Sequence, residues 1–534
     1  MRLTSYLNRI ITFTILLALL LCNLLLPGCK KNEPVHNEIA LYTEAHRPQF
    51  HFSPQQKWMN DPNGMFYYDG EYHLFYQYYP DSTVWGPMHW GHAISRDMVH
   101  WEHLPVALYP DENGWIFSGS AVVDWQNTSG LGQNGQPPLI AIFTYHNDVL
   151  VKAGREDYQT QGIAYSNDRG RTWTKYPANP VLPNPGIRDF RDPKVFWYET
   201  GAYWVMSLAV ENRISFYTSP DLLNWTHASD FGQQSGAHGG VWECPDLFSL
   251  TVEGTNQTKW VLLVSINPGG PNGGSATQYF IGDFDGKTFT NDHAPATTLW
   301  IDHGRDNYAG VTWSDIPAED GRRLFIGWMS NWHYANEVPT ERWRSAMTLP
   351  RTLTLRTTPA GLRLCSQPVQ EMTQLRGPAI ELDAQMINGK IDIAKQLNIS
   401  TLLMEMRLEI EISDDATADF GVALTNARNE VYRIGYDAGQ GQFYSDRTRA
   451  GKQAFSELFA NQLALAPRVE EGNTVILHLF LDVASVELFA DDGATALTEI
   501  FFPNEDFTQL QLYSNNGTVQ LKKATFYPLL SVWQ

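Results

Sequence analysis

Three acidic side chains, Asp61, Asp192 and Glu243, stand in surroundings that suit a reaction centre. Asp61 lies between an amide and a proline, in a polar segment where a carboxyl group is expected to stay ionised. Glu243 follows Trp242, and an apolar surround raises the pKa of a carboxyl group. An ionised carboxylate beside a protonated one can attack a sugar carbon while its partner protonates the leaving oxygen, the chemistry of glycosidic cleavage.

Asp61 also fits a structural role, because the sequence Asn-Asp-Pro-Asn-Gly around it is rich in turn-forming residues. The recurrence of Asp-Pro at Asp192, again before an aromatic run and with Arg191 adjacent, favours the chemical role. Cys244, next to Glu243, is interpreted as a small buried residue rather than as a nucleophile. The histidines share no metal-ligand spacing, so we predict neither a metal nor another cofactor.

A repeating unit predicts how these acids come together. A polar cluster, an apolar strand, a turn and a second apolar strand recur five times, and Ser-x-Asp blocks ending in Trp close three of the units. Units of about 50 to 75 residues with about four strands each are typical of β-propeller blades. The first strand of each blade lies next to the central axis, so the residues at the strand starts should surround one pocket. Those residues are Asp61, Ser118, Asp192, Glu243 and Tyr308.

Composition supports an all-β protein that acts on a neutral partner. The formal charge of −20 argues against nucleic acid, whose phosphates would be repelled. Only Cys244 and Cys365 lie beyond the first thirty residues, so the fold depends on its core rather than on disulfides. Apolar residues alternate with charged ones over 404–412, which predicts a strand with one solvated face. We therefore predict a five-bladed β-propeller followed by a C-terminal β-sandwich.

The N-terminus has the features of an export signal. Arg2 and Arg9 precede an apolar run that ends at Leu26-Pro27-Gly28-Cys29. This ending resembles a bacterial lipobox, in which Cys29 would become lipidated; a plain signal peptide or an uncleaved anchor is the alternative. The expected location is the bacterial cell envelope, with the chain held to the membrane by a lipid anchor at the outer surface or in the periplasm.

The predicted segments follow from these patterns. They are a lipoprotein signal peptide over 1–28, a tether over 29–47, the propeller over 48–364, a linker over 365–378 and the sandwich over 379–534. The sandwich lacks clustered acids, so a packing partner that covers the side of the propeller is favoured over an accessory carbohydrate-binding module.

Five ordered motifs resemble the family 32 glycoside hydrolases, which include fructan hydrolases and invertases. They are WMNDPNG at 58–64, WGPMHWGH at 85–92, FSGS at 117–120, FRDP at 190–193 and WECPD at 242–246. The resemblance runs from about Arg47 to the C-terminus and is strongest to bacterial levanases and exo-inulinases. It implies the same propeller and sandwich, and a retaining enzyme that cleaves β-fructosidic bonds.

The resemblance also implies a role for each acid. Asp61 would be the nucleophile, Glu243 the acid and base, and Asp192 the stabiliser of the transition state. In such a double displacement the carboxyl groups of Asp61 and Glu243 should lie about 5–5.5 Å apart. The positions that would hold the terminal fructose are Asn60, Gln77, Trp85, Phe117, Ser118, Arg191, Tyr308 and Trp328.

Several functional alternatives remain open at the level of sequence. Levan, inulin and sucrose are all candidate substrates. The resemblance favours exo-action with release of fructose, whereas a location at the cell surface favours endo-cleavage of levan. Transfer of the fructosyl group to a sugar is a lesser alternative. A fructan-binding lipoprotein without turnover is the rival from another class, and the intact set of three acids argues against it.

Overall fold

The computed structural model describes residues 41–399, 402–412 and 417–533. Cys29, the predicted signal peptide and most of the predicted tether lie outside the described residues. Residues Glu44–Gln534 form one compact unit. Within the described part of the chain, no helix combines the length and the apolar character needed to cross a membrane.

Five antiparallel sheets form the blades of a propeller. The first contains β1 (Lys57–Tyr68), β2 (Glu71–Tyr79), β3 (His89–Ser95) and β4 (Trp101–Leu108). The second contains β5 (Trp115–Val123), β6 (Leu139–His146), β7 (Gln159–Ser166) and β8 (Thr174–Lys175). The third contains β9 (Phe190–Tyr198), β10 (Tyr203–Val210), β11 (Arg213–Ser219) and β12 (Thr226–Phe231).

The last two blades carry short additional strands. The fourth contains β13 (Val241–Thr251), β14 (Thr258–Asn267), β15 (Ala276–Phe284), β16 (Phe289–Asn291) and β17 (Leu299–Trp300). The fifth contains β18 (Tyr308–Thr312), β19 (Arg323–Met329), β21 (Ala346–Met347), β22 (Arg351–Thr358) and β23 (Gly361–Pro368). The remaining strand, β20 (Trp343–Arg344), pairs in parallel with β1 and so joins the end of the propeller to its first blade.

The inner strands β1, β5, β9, β13 and β18 contact one another in sequence, and β18 contacts β1, so the ring is closed. The predicted five-bladed propeller is confirmed. A short α-helix, α1 (Asp148–Lys152), lies between β6 and β7, and Asn147 caps its N-terminus.

The Ser-x-Asp…Trp blocks form the turn between the third and fourth strands of three blades. In the first blade the carboxylate of Asp97 accepts hydrogen bonds from the Ser95 hydroxyl and from two backbone N–H groups of the turn. The Trp101 indole then donates to the carbonyl of Met98. Equivalent indole bonds to the carbonyl three residues earlier occur at Trp173 and Trp225. The repeat in sequence is therefore a repeated turn.

The C-terminal domain is built on eleven strands. They are β24 (Ile380–Leu382), β25 (Gln385–Asp392), β26 (Met404–Ile412), β27 (Asp419–Thr425), β28 (Val431–Asp437), β29 (Gln442–Arg449), β30 (Ala464–Pro467), β31 (Thr474–Asp482), β32 (Ser485–Ala490), β33 (Thr495–Ile500) and β34 (Gln509–Pro528). A helix, α2 (Ile393–Gln396), follows β25. The apolar side chains of β26 point into a common core, as the alternation predicts, and the predicted β-sandwich is confirmed.

One residue of β26 departs from the predicted solvated face. Glu405 is buried, because Arg376 from the connection between the domains covers it and binds both of its carboxylate oxygens. His478 on the neighbouring β31 also contacts this carboxylate. The connection itself is structured: β23 continues to Pro368, and residues Gln370–Leu375 form a 3-10 helix.

Buried charges join the propeller to the sandwich. Arg351 of β22 binds Asp302 on the propeller and Glu487 on the sandwich, and all three side chains are buried. His51 contacts Asp482 and Glu487 through its two ring nitrogens. Burial alone would lower the pKa of His51, but these two hydrogen bonds raise it to about 9. Such contacts hold the two domains in one fixed orientation, which supports the packing role of the sandwich.

The folded unit begins earlier than the predicted tether suggests. Arg47 is fully buried; its guanidinium pairs with Glu44 and donates to the Ser53 hydroxyl and to the Pro54 carbonyl. The cation also lies over the ring of Trp343, 4.3 Å from its centroid. The last residues of the expected tether are thus part of the packed structure.

Candidate active site

A cavity of about 310 Å³ opens at the end of the propeller where the inner strands begin. Polar and aromatic side chains from several blades line it. They are Asn60, Asp61, Gln77, Trp85, Phe117, Ser118, His146, Tyr158, Gln159, Asp189, Arg191, Asp192, Glu243, Asn267 and Trp332. Four of the five residues that the repeat predicts at one pocket are in this set, and the fifth, Tyr308, touches Glu243.

A β-bulge interrupts each inner strand where its functional residue lies. The register shifts fall between Met59 and Pro62 in β1 and between Ile116 and Gly119 in β5. In β13 the shift follows Glu243, and in β18 it follows Tyr308. In β9 the register shifts between Arg191 and Lys194, the segment that holds Asp192. Bulges redirect side chains, and here they turn residues of different blades toward one cavity.

The carboxylate of Asp61 is held by two neutral donors. The amide of Asn60 donates to Oδ1 at 2.9 Å, and the Ser118 hydroxyl donates to Oδ2 at 2.8 Å. Asn60 is in turn fixed by the Trp58 indole, which donates to its side-chain oxygen at 2.7 Å. Because each carboxylate oxygen has its own donor, the carboxylate of Asp61 cannot rotate freely.

Asp192 and Asp61 are bridged by Cys244. The backbone N–H of Cys244 donates to Asp192 Oδ2 at 3.0 Å, and its Sγ lies 3.6 Å from the same oxygen and 3.7 Å from Asp61 Oδ2. Burial and the nearby carboxylates raise the pKa of this thiol well above its ordinary value. The group stays a neutral thiol, which agrees with its interpretation as a small buried residue. Asp192 itself has a φ of +62°, a conformation that Asp tolerates better than most residues.

The surroundings of Glu243 differ from the apolar pocket expected beside Trp242. Arg191 donates to Oε1 from Nη2 at 3.0 Å and from Nε at 3.3 Å, and the Tyr308 hydroxyl donates to Oε2. Trp242 is fully buried inside the fourth blade, where its indole donates to the carbonyl of Ala237. The expectation was wrong because adjacent residues of a strand point to opposite faces.

The three carboxyl groups repel one another. Burial and the charge of Glu243 raise the pKa of Asp61, against the hydrogen bonds from Asn60 and Ser118. Burial also raises the pKa of Asp192 to about 7, with Arg191 opposing the rise and Glu243 and Asp61 adding to it. Asp61 therefore is not in the purely polar surround that its neighbours in sequence suggest. The single guanidinium of Arg191 is shared among Asp192, Glu243 and Asp189, so the carboxyl cluster favours retaining a proton at neutral pH.

Six of the eight predicted sugar-binding residues line the cavity, namely Asn60, Gln77, Trp85, Phe117, Ser118 and Arg191. The side-chain nitrogen of Gln77 has no hydrogen-bond partner among the described residues, so it is available to a hydroxyl group of a ligand. Tyr308 acts on the cavity through Glu243. Trp328 is fully buried and packs against Trp332, with the ring centroids 4.9 Å apart, and it is Trp332 that lines the cavity.

Several lining residues escaped the sequence analysis. His146 stacks on Phe117 at a centroid distance of 4.3 Å, and Tyr158 packs edge-on against the same imidazole ring. Burial lowers the pKa of His146 to about 4, with Arg191 adding to the fall, so the ring is neutral. Asp189 pairs with Arg191 and could have been suspected from its place two residues earlier. The remainder, Gln159 and Asn267, sit on second or third strands that carry no local signal.

Over 41–399, 402–412 and 417–533, no group of three or more His, Cys, Asp or Glu side chains has a geometry that could hold a metal ion.

Comparison with known proteins identifies one family for both domains. Residues 51–368 match the N-terminal domain of glycosyl hydrolases family 32, and residues 371–528 match the C-terminal domain of that family. A levanase from Bacillus subtilis (strain 168) is 51% identical over 495 residues, which cover 92% of this chain and 72% of the levanase. An extracellular exo-inulinase from Aspergillus awamori is 40% identical over 523 residues, which cover 92% of this chain and 96% of the exo-inulinase.

Solved structures show the same architecture. The crystal structure of the exo-inulinase from Aspergillus awamori superposes with a TM-score of 0.84 at 38% identity, covering 92% of this chain and 100% of that one. A β-fructofuranosidase from Schwanniomyces occidentalis, solved with fructosyl-erythritol, gives a TM-score of 0.83 at 33% identity, covering 92% and 99% of the two chains. Both domains, the fold and the sequence relatives agree: the chain belongs to glycosyl hydrolase family 32.

Proposed function

We propose that this enzyme hydrolyses the β-fructosidic bonds of fructans, levan or inulin, and releases the terminal fructose by double displacement. One observation carries the proposal: Asp61, Asp192 and Glu243 meet in a single cavity with Arg191, although almost 200 residues separate the first acid from the last. The relatives named levanase and exo-inulinase and the fructosyl ligand in the Schwanniomyces structure support the choice of substrate.

In the first step Asp61 attacks the anomeric C2 of the fructosyl unit. The C2–O bond breaks as Glu243 gives its proton to the leaving oxygen, and a covalent fructosyl–Asp61 ester forms. The two donors on Asp61 support this role, because one carboxylate oxygen can form the new bond while the other keeps its hydrogen bond.

In the second step Glu243, now a carboxylate, removes a proton from water, and the resulting hydroxide attacks C2. The ester bond breaks, Asp61 leaves as a carboxylate, and fructose departs with its original configuration. Asp192 would accept hydrogen bonds from fructose hydroxyls, which strengthen as positive charge develops on the ring. Arg191 and Tyr308 keep Glu243 in place through both steps.

The size of the cavity favours exo-action over endo-cleavage. Its volume of about 310 Å³ is near the lower end of the range of about 300–1,000 Å³ for small-ligand sites, so it suits a chain end better than a long internal segment. The aromatic rings of Trp85 and Phe117 both line this cavity, and their centroids are 6.0 Å apart.

Product analysis on levan and inulin in parallel tests both the activity and its mode. We expect fructose to be the sole product of low mass from the first time point, detected by anion-exchange chromatography, on at least one of the two polymers. An early ladder of fructo-oligosaccharides would show endo-cleavage instead, and absence of product from both polymers and from sucrose would contradict the proposed activity.

For the location of the enzyme, we propose a lipid anchor on Cys29 that holds the chain in the bacterial cell envelope. The Leu-Pro-Gly-Cys ending of the apolar run supports it. In a bacterial host, the full chain should partition into the membrane fraction and incorporate labelled palmitate, and Cys29→Ala should do neither. Release of both the wild type and Cys29→Ala from the membrane fraction would favour a plain signal peptide. Retention of both proteins in the membrane fraction without labelled palmitate would favour an uncleaved anchor.

A further inference from the structure

An exposed tryptophan lies at the end of the propeller opposite to the active-site cavity. Trp125 is 58% exposed and lies two residues beyond the end of β5, whereas Ser118 of the cavity lies near the start of that strand. Among the described tryptophans, Trp125 and Trp85 are the two that are exposed. Trp85 lines the active-site cavity, whereas Trp125 does not.

The indole of Trp125 is fixed in position. Its Nε1 donates to Asp315 Oδ1 at 2.9 Å, and the other oxygen of Asp315 accepts the backbone N–H of Val123, also at 2.9 Å. The preceding residue, Asp124, is fully buried, and its carboxylate takes four hydrogen bonds from the backbone and hydroxyl groups of two following residues, Thr128 and Ser129. The loop is therefore rigid, and its apolar ring is presented to solvent without loss of conformational freedom on binding.

Other groups beside the ring suit a sugar. The half-buried Tyr68 lies with its ring centroid 5.8 Å from that of Trp125 at an angle of 42°, so the two aromatic faces form a shallow corner. The next two residues in the chain, Gln126 and Asn127, are both exposed and carry amide side chains. Sugars combine apolar C–H faces with hydroxyl groups, which matches a flat ring bordered by amide donors and acceptors.

The patch is unsuited to the other common partners. The surface area of one indole and part of a phenol ring is far smaller than the roughly 800 Å² that each partner buries in a stable protein interface. The formal charge of −20 disfavours nucleic acids and anionic surfaces. A neutral polysaccharide meets neither obstacle.

We propose that Trp125, Tyr68 and Gln126 form a second carbohydrate-binding site, which holds a fructan chain at a distance from the catalytic cavity. The choice of fructan rests on the proposed function. Ser118 and Val123 are five residue steps apart along β5, a distance of about 17 Å in an extended strand, so one sugar ring cannot occupy both sites. A polymer bound at Trp125 stays close to the enzyme while its ends reach the cavity, which raises the local concentration of chain ends.

The test compares full-length Trp125→Ala with the wild type and with Met386→Ala, a matched variant that truncates a side chain 55% exposed on the sandwich. Binding is measured by native electrophoresis in gels that contain levan or inulin, and kinetics with the same polymers, sucrose and a fructose trisaccharide. We expect Trp125→Ala to lose the retardation and to raise KM for polymer about tenfold. Its kcat/KM for sucrose and the trisaccharide should equal that of the wild type, and Met386→Ala should match the wild type throughout.

Three results would overturn the second site. They are unretarded migration of the wild type in both polymers, equal retardation of Trp125→Ala and the wild type, and an equal loss of activity on the trisaccharide and on polymer. The proposed activity is judged separately, by the hydrolysis of sucrose, trisaccharide and polymer by the wild type.

Discussion

Replacing Asp61 with Asn should lower kcat on sucrose and fructans about 10⁴-fold or more while the protein stays folded. The amide cannot form the fructosyl ester, and loss of a nucleophile removes most of the catalytic effect of the residues that act with it. Initial rates of fructose release measure this change. Asp61→Ala, which cannot revert to Asp by deamidation, should be equally inactive.

The folded state of the Asp61→Asn variant should be at least as stable as that of the wild type at neutral pH. Burial and Glu243 raise the pKa of Asp61, so its contribution to stability is greatest at low pH and is lost as pH rises through that pKa. The neutral amide avoids this loss, and calorimetry at pH 7 should give an unchanged or higher Tm.

Asp315→Asn provides a matched control for this prediction, since Asp315 follows the inner strand β18 at the end remote from the cavity. Its kcat on sucrose should equal that of the wild type. A fructan-binding protein without turnover would show no difference between Asp61→Asn and the wild type, and a kcat retained within about tenfold would remove Asp61 from the nucleophile role.

The arrangement of the blades could be predicted because every blade repeats the same local chemistry. The strand Met404–Ile412 has the bounds that its alternating pattern predicts, since a run of apolar residues at every second position leaves little choice of structure. The acids could be assigned to one cavity for the same reason: equivalent positions in a radial repeat must converge at one end.

The detailed environment of each acid could not be predicted, because it depends on contacts between blades. Arg191 reaches Glu243 from the neighbouring blade, and Ser118 reaches Asp61 across another such boundary. The bulges also escape a periodic pattern: an extra residue after Glu243 turns Cys244 to a φ of +44° and brings its backbone N–H to Asp192. The local sequence predicts that a strand forms, but it does not predict which hydrogen-bond donor another blade places beside it.

Trp328 illustrates the same limit on a single strand. The resemblance to the family implied that its side chain holds the terminal fructose. In the structure it pairs in register with Tyr308 on the neighbouring strand and supports Trp332, whose ring faces the cavity. Two aromatic residues four positions apart are equivalent in a sequence pattern, and the turn that follows β19 decides which of them is at the surface.

Replacing Glu243 with Gln should lower kcat on sucrose and fructans about 10³-fold, because the amide can neither protonate the leaving oxygen nor activate water. Gln keeps the shape of the side chain and an oxygen that can accept from Arg191 or Tyr308, so the cavity should remain intact. The loss should be far smaller on an aryl β-fructoside with a good leaving group, since formation of the ester then needs little acid assistance. Comparison of burst and steady-state rates separates the two steps.

Azide provides the decisive addition to this experiment. A small anion that needs no base should restore turnover of the aryl fructoside by Glu243→Gln and yield β-fructosyl azide of retained configuration, identified by NMR. Asp192→Asn, which leaves Glu243 in place, is the matched control and should gain nothing from azide. A fructosyl azide of inverted configuration, or rescue of Asp61→Asn and not of Glu243→Gln, would show that Glu243 is the nucleophile and Asp61 the acid and base.

The pH profile of the same variant gives an independent check on the electrostatics. The charge of Glu243 is one of the causes that raise the pKa of Asp61, and Gln removes that charge. Attack requires ionised Asp61, so activity falls as pH drops through its pKa. The acidic limb of kcat/KM for the aryl fructoside should therefore move to lower pH in Glu243→Gln. An acidic limb at the same pH as in the wild type would mean that the charge of Glu243 does not affect the pKa of Asp61. That result would contradict the short distance between the two carboxyl groups that a retaining mechanism requires.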